Sequence, residues 1–129
     1  MEQEAKLVSF AHLPALGADL DGGTFAGITT HKDGTHCAVV LLPEQCEKLT
    51  WEKAMNWAEK LGGELPSRPV AAMLFANVKR LLKPTWHWTS EEDDASYAWN
   101  CHFDDGHQLS HHKSFEGAAV LVRLIPLTA

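Results

Sequence analysis

Four of the eight histidines, His102, His107, His111 and His112, fall within eleven residues in the last third of the chain. Imidazole ligates zinc, nickel and copper and titrates near neutral pH, so such a group raises metal binding and acid–base chemistry first. The residues around it alternate as a strand does, which sends the adjacent His111 and His112 to opposite faces. Reading Asp104-Asp105-Gly106 as a three-residue hairpin loop, with Gly106 left-handed, sets Cys101 opposite Leu109 and Trp99 opposite His111. In that register His102 lies on the face away from His107 and His111. One pair then shares a face, whereas a zinc site draws on three or four protein ligands. A polar hairpin surface whose charge changes between about pH 5 and 7 is the expectation. A metal-assisted hydrolase built on His107 and His111 is the alternative; no metal or cofactor is assigned.

Other chemistries find less support. The carboxylates Glu91, Glu92, Asp93 and Asp94 are contiguous, whereas calcium collects six to eight oxygens from spaced ligands. They read as a solvated loop. There is no G-x-S-x-G, and Gly62-Gly63 follows a helical pattern instead of opening one, so no phosphate loop is recognised. Cys37, Cys46 and Cys101 are an odd number without a C-x-x-C pair. Free thiols in a reducing compartment are expected, with a Cys37–Cys101 bridge as the alternative. Cys101 is expected on the core face of its strand. No catalytic constellation emerges, and the chain is read as a non-enzyme.

Composition narrows the partners. The 129 residues carry a formal charge of −6, which argues against a nucleic-acid backbone or an anionic membrane as partner. The charge has a location. From Trp86 onward there are seven acidic residues, the four above with Asp104, Asp105 and Glu116, against Lys113 and Arg123. An acidic face beside aromatic side chains suits a basic protein surface, the bland alternative being solubility. The candidate binding residues are Trp86, His87, Glu91, Glu92, Asp93, Asp94, His102, Asp104, Asp105, His107, His111, His112 and Lys113. Trp86 and His87 are expected at the surface, as the first stacking positions for a glycan if the ligand is one.

These residues need a scaffold, and its elements are legible. Met1–Leu20 has Glu2 and Glu4 where a signal peptide would be basic and no continuous apolar region, and no stretch reaches the length of a membrane span. A cytoplasmic chain is expected. Residues 1–20 read as an edge strand and linker before one domain over 21–129. Thr24–Thr30 and Thr35–Leu42, joined by His31-Lys32-Asp33-Gly34, read as a β-hairpin, and Pro43–Leu49 as a polar connector. Thr50 caps a helix whose apolar face is Trp51, Ala54, Met55, Ala58 and Leu61, stopped by Gly62-Gly63. Ser67 caps a second helix with Pro69 in its first turn and Val70, Met73, Leu74, Val78, Leu81 and Leu82 as its stripe. Trp86–Thr89, Tyr97–Phe103 and Ala118–Ile125 read as strands, with Ser90–Ser96 an acidic loop. Trp51, Trp88 and Trp99 each sit on an apolar face and are expected in the core. Helices grouped beside largely antiparallel strands make an α+β domain.

The ordered motifs LTWEKAMNWAEKLGGELPSR (Leu49–Arg68), WHWTSEE (Trp86–Glu92), YAW (Tyr97–Trp99) and KSFEGAAVLVRLI (Lys113–Ile125) resemble the Lcl C-terminal domain family. The upstream AGITTHKDGTHCAVVLLP (Ala26–Pro43) is similar to the hairpin of its phage-borne members. The resemblance implies a C-type-lectin-like fold, two helices packed on short, mostly antiparallel strands, and a bacterial or phage origin. It does not imply calcium-dependent sugar binding. The lectin's Trp-Asn-Asp is Trp99-Asn100-Cys101 here, and its Glu-Pro-Asn loop is absent. The expected function is a phage- or prophage-encoded module that binds a protein, such as a host factor, through the loops Ser90–Ser96, Asp104–His107 and Ser110–Gly117. Calcium-independent glycan binding and a virion-associated role are the alternatives.

Overall fold

Residues 38–42 and 119–122 are uninterrupted apolar runs, too apolar for strands with one wet face. A computed structural model describes residues 7–128, and in it both runs are central strands covered on both sides. The elements are β1 (Val8–Ser9), a 3-10 turn (Phe10–His12), β2 (Asp19–Leu20), β3 (Gly23–Thr30), β4 (His36–Leu49), α1 (Trp51–Lys60), α2 (Arg68–Val78), a second 3-10 turn (Lys79–Leu81), β5 (Trp86–Glu92), β6 (Tyr97–His102), β7 (Gln108–His112) and β8 (Gly117–Thr128). The strands form one open sheet in the order β2-β3-β4-β8-β5-β6-β7, with β1 beside the end of β8. Pairing is antiparallel except for β1 and β5, which each meet β8 in parallel. The fold is α+β, as expected. Residues 1–6 of the expected N-terminal segment lie outside the described residues.

The two helices are not grouped on one side. Ala38, Val40, Leu42, Ala119 and Leu121 pack with Ala54 and Ala58 of α1. The intervening Val39, Leu41, Val120 and Val122 pack with Val70, Ala71, Leu74 and Val78 of α2. Alternate residues of a strand point to opposite faces, so the sheet is sandwiched between the helices. Three strands also run well past their expected ends. β5 continues through Glu92 into the segment expected as an acidic loop, and β8 reaches Thr128. β4 continues through the supposed connector to Leu49, and its register shifts between Leu41 and Gln45, where Pro43 lacks the N–H a regular ladder needs.

Local signals set the helix ends. The Ser67 side chain accepts from the Val70 N–H at 3.3 Å, whereas Thr50 caps α1 without a side-chain bond. The glycine pair divides two tasks. Gly62 is left-handed at φ +78°, and a Cβ on Gly63 would stand 2.8 Å from the Val122 carbonyl oxygen. Gly62 ends the helix, and Gly63 lets the chain cross against β8.

The β6–β7 hairpin departs from the expected register by one residue. Its loop has four residues, 103–106, closed by bonds from His102 N–H to the His107 carbonyl and from Gly106 N–H to the His102 carbonyl, both 2.8 Å. Asn100 therefore stands opposite Leu109, Ala98 opposite His111 and Cys101 opposite Gln108. A one-residue slip exchanges the faces that opposed side chains share. It brings His111 to the face of His102, where the three-residue loop had kept them apart.

Candidate functional site

That shared face carries the most concentrated group of side chains in the C-terminal half. Trp86 is paired with His102 across β5 and β6. Its ring stands edge-on to His102 at 4.8 Å and to His111 at 4.7 Å. His111 stacks on Phe115 at 4.6 Å, and its Nδ1 lies 3.0 Å from Asn100 Oδ1. Asn100 is fully buried and its Nδ2 has no hydrogen-bond partner among the described residues. Burial holds the His111 imidazole below the usual histidine range. The group is semi-rigid: each ring rests on another, and a buried amide orients the central imidazole. Leu109 on the same face is 52% exposed and Phe115 37%, whereas Tyr97, 41% exposed, stands with His112 on the opposite face.

The remaining candidates divide between structural and open positions. His87 does not stand at the surface. It alternates to the α2 side of β5, 1% exposed, against Phe103 at 4.6 Å. Its Nδ1 lies 2.9 Å from the Thr85 carbonyl oxygen, and burial pushes its pKa down to about 4. Glu91 accepts from the Arg68 backbone N–H at 2.7 Å and so caps α2. Glu92 pairs with Lys113, which also donates to the Ala95 carbonyl and lies over the Trp51 ring at 4.7 Å. Asp94 accepts from the Ser96 and Tyr97 N–H groups, both at 2.8 Å. Asp105 is held by the His107 N–H and by its ring at 3.0 Å, which lowers the Asp105 pKa. His112 Nδ1 meets Ser114 Oγ at 2.8 Å, and its ring stands edge-on to Tyr97 at 5.4 Å. The side chains of Asp93 and Asp104 are exposed.

Only one of the three expected core tryptophans is fully buried. Trp88 is, and it donates to the Leu49 carbonyl at 2.7 Å. Trp51 and Trp99 are half-buried because a cation covers each: Lys113 for Trp51, and for Trp99 the Arg68 guanidinium at 3.7 Å. A shallow depression of about 550 Å³ opens beside Trp51, lined by Thr50, Glu52, Glu92, Lys113 and Ser114. Its cation is already occupied by Glu92.

No group of three or more potential metal ligands lies together among the described residues. His107 turns to Asp105, and His111 to Asn100. All three cysteines are free thiols, so the Cys37–Cys101 bridge is not formed. Burial pushes the Cys101 thiol up to about 11 and raises that of Cys37. Cys101 is buried, as its strand position predicts. Asn100, Leu109 and Phe115 were not singled out from the sequence. Asn100 lies in an apolar strand and Phe115 in a polar loop; each departs from its surroundings, which is the one signal the sequence holds for them.

The sequence matches no family model, and no curated protein matches it. Among the described residues no helix is long and apolar enough to cross a membrane.

Proposed function

We propose that this chain is a non-enzymatic binding module that holds a protein partner on the outer part of β5–β7 and the adjoining loops. One observation carries the reading: the Trp86–His102–His111–Phe115 group stands at the surface on a buried support, with exposed Leu109 on the same face. Rigid aromatic side chains lose little entropy when covered, and such patches mark interaction sites. The carboxylates around them would steer a basic partner. Origin in a phage or prophage and action inside the host cell belong to the same reading. Together with a C-type-lectin-like relationship, they rest on the order of the motifs that resemble the Lcl C-terminal domain family. A half-exposed Trp86 beside two imidazoles also supports glycan stacking as the second reading, which a glycan array separates from the first.

Site-specific photo-cross-linking in the producing cells tests the proposal. A cross-linker at Leu109 is expected to capture a discrete protein that one at Lys53 on α1 does not, and Trp86→Ala is expected to abolish the capture. Identical capture from both positions, or none from Leu109, would overturn it.

A further inference from the structure

The two edges of the sheet are built differently. On one flank β2 is two residues long, includes Asp19 and covers only Gly23 and Thr24 of β3, and the rest of that edge follows a register shift between Phe25 and Gly27, an irregularity of the kind that guards an edge. β7 closes the other side and is paired on one flank only, by β6. Its register runs without a shift from Tyr97 opposite His112 to Cys101 opposite Gln108. The His102 N–H bond to the His107 carbonyl and the Lys113 N–H bond to the Ser96 carbonyl, each 2.8 Å, show which residues turn toward β6. Antiparallel ladders alternate, so residues 107, 109, 111 and 113 face β6, and Gln108, Ser110 and His112 direct their backbone groups outward. Among the described residues, the His112 carbonyl takes the Phe115 N–H at 2.9 Å, and no other outward backbone group is bonded.

Exposed edges are ordinarily guarded by Lys, Pro, a bulge or a covering segment. The β7 sequence Gln-Leu-Ser-His-His has no formal charge at neutral pH, no proline and no bulge. It is nevertheless flanked by charge. Asp104 and Asp105 precede it, and Asp93 and Asp94 lie at its far end, where the Asp93 N–H bonds to the carbonyl of Tyr97, the partner of His112. Nearby cations are committed elsewhere: Lys113 to Glu92, Arg68 to Trp99 and Gln108, and Lys79 to the Asp104 carbonyl. The Asp93 and Asp104 carboxylates form no ion pair among the described residues.

We propose that the β7 edge accepts an extended segment of the protein partner as an added antiparallel or parallel strand, and that this segment is basic at both ends. Five residues of strand span roughly 17 Å, so the basic residues would stand about five to seven positions apart. A second copy of this chain fits poorly, because two-fold pairing about Ser110 would set Asp104 and Asp105 of one chain beside Asp93 and Asp94 of the other. Main-chain pairing would supply affinity, and side chains beside Leu109 and His111 would supply selectivity. The inference rests on the binding reading above and adds its mode and the chemistry of the partner.

Selection of a displayed random 12-residue peptide library on the full chain tests it. The enriched peptides are expected to carry Lys or Arg at both ends of an alternating, β-branched stretch. In solution, N-methylation of alternate amides of one such peptide should weaken binding roughly tenfold or more in one phase and leave it unchanged in the other. Ser110→Pro removes only an outward N–H, as edge strands tolerate, and should weaken the same peptide by a similar factor while the melting curve persists. The N-methyl series decides the matter should that variant fail to fold. Enriched peptides without basic ends, equal effects of the two phases, or no enrichment would overturn the proposal. So would a concentration-dependent dimer that Ser110→Pro abolishes, since the occupant would then be a second copy. Capture of a partner from Leu109 that Ser110→Pro leaves unchanged would overturn strand addition alone and leave the binding reading intact.

Discussion

His111 and Asn100 meet across the β6–β7 pair, imidazole Nδ1 to amide Oδ1 at 3.0 Å, and the same imidazole stacks on Phe115. Nδ1 donates and Oδ1 accepts, so the contact orients both the ring and the buried amide. It is the support of the proposed surface, because Asn100 makes no other side-chain bond among the described residues.

Removing one partner of such a pair should cost more than removing both. His111→Ala leaves the Asn100 amide buried with neither polar group paired, an expected loss of about 2 kcal/mol. Asn100→Ala deletes the unpaired Nδ2 along with the bond. The double variant is expected to lose less stability than the sum of the singles. Urea denaturation of the four proteins measures this, and strict additivity would refute the coupling.

His87 makes stability depend on pH. Its folded pKa, about 4, lies below its ordinary value of 6.5, so the unfolded chain takes up the proton first as pH falls. The neutral ring's contribution is therefore complete above about pH 6.5 and is lost between there and about pH 4, by about 3 kcal/mol. Burial lowers the His111 pKa as well, which acts in the same direction. The expected result is a fall in unfolding free energy over that interval that His87→Leu makes shallower. NMR titration should find the His87 ring neutral at pH 5.

Arg68 ties α2 to the β6–β7 hairpin. Its guanidinium lies over Trp99, its Nε donates to Gln108 Oε1 at 2.8 Å, and its carbonyl accepts from Gln108 Nε2 at 2.9 Å. A lysine ammonium cannot reproduce the planar stacking with the directed bond. Arg68→Lys should cost about 1 kcal/mol and Arg68→Ala about 2. A double-mutant cycle with Gln108→Ala should return a coupling energy; a value of zero would show that the contacts are incidental.

The two glycines after α1 should respond unequally. Gly62→Ala places a Cβ on a left-handed residue with open space around it, at a cost of about 1 kcal/mol. Gly63→Ala drives a methyl group against the Val122 carbonyl and the Leu121 side chain. It should cost about 2 kcal/mol or more, as overpacking does. Thermal melts that rank the pair the other way would contradict this division.

Local features were read correctly where their cause is local. Ser67, Pro69 and the Gly62-Gly63 pair mark helix ends through their own backbone preferences and side-chain bonds, and α1 stops and α2 starts within a residue or two of those marks, whereas α2 ends at Val78, short of the expected Leu81 and Leu82, which fall in and after a 3-10 turn. His31-Lys32-Asp33-Gly34 joins two strands because Gly34 takes φ +90° and the Asp33 carboxylate accepts the Thr35 N–H. Pro43 misled because a proline ends a regular ladder, whereas β4 absorbs it in an irregularity and continues. The tryptophans misled because periodicity marks an apolar face without saying whether a cation or another side chain will cover it.

The order of the main elements, the Ser67 cap and the α+β class were legible in the sequence alone, since they rest on local periodicity and on side chains a few residues away. The candidate surface was not. A loop of four residues and a loop of three leave the alternation within each strand unchanged, yet they exchange which faces meet across the pair, and that choice set His111 beside His102 and Trp86. The burial of His87 and the separation of the helices to opposite faces were likewise decided by packing. Contacts such as Trp51 to Thr89 and Trp88 to Leu49 span 38 and 39 residues. Only the assembled sheet brings such residues together, because alternation within a strand carries no information about its neighbour.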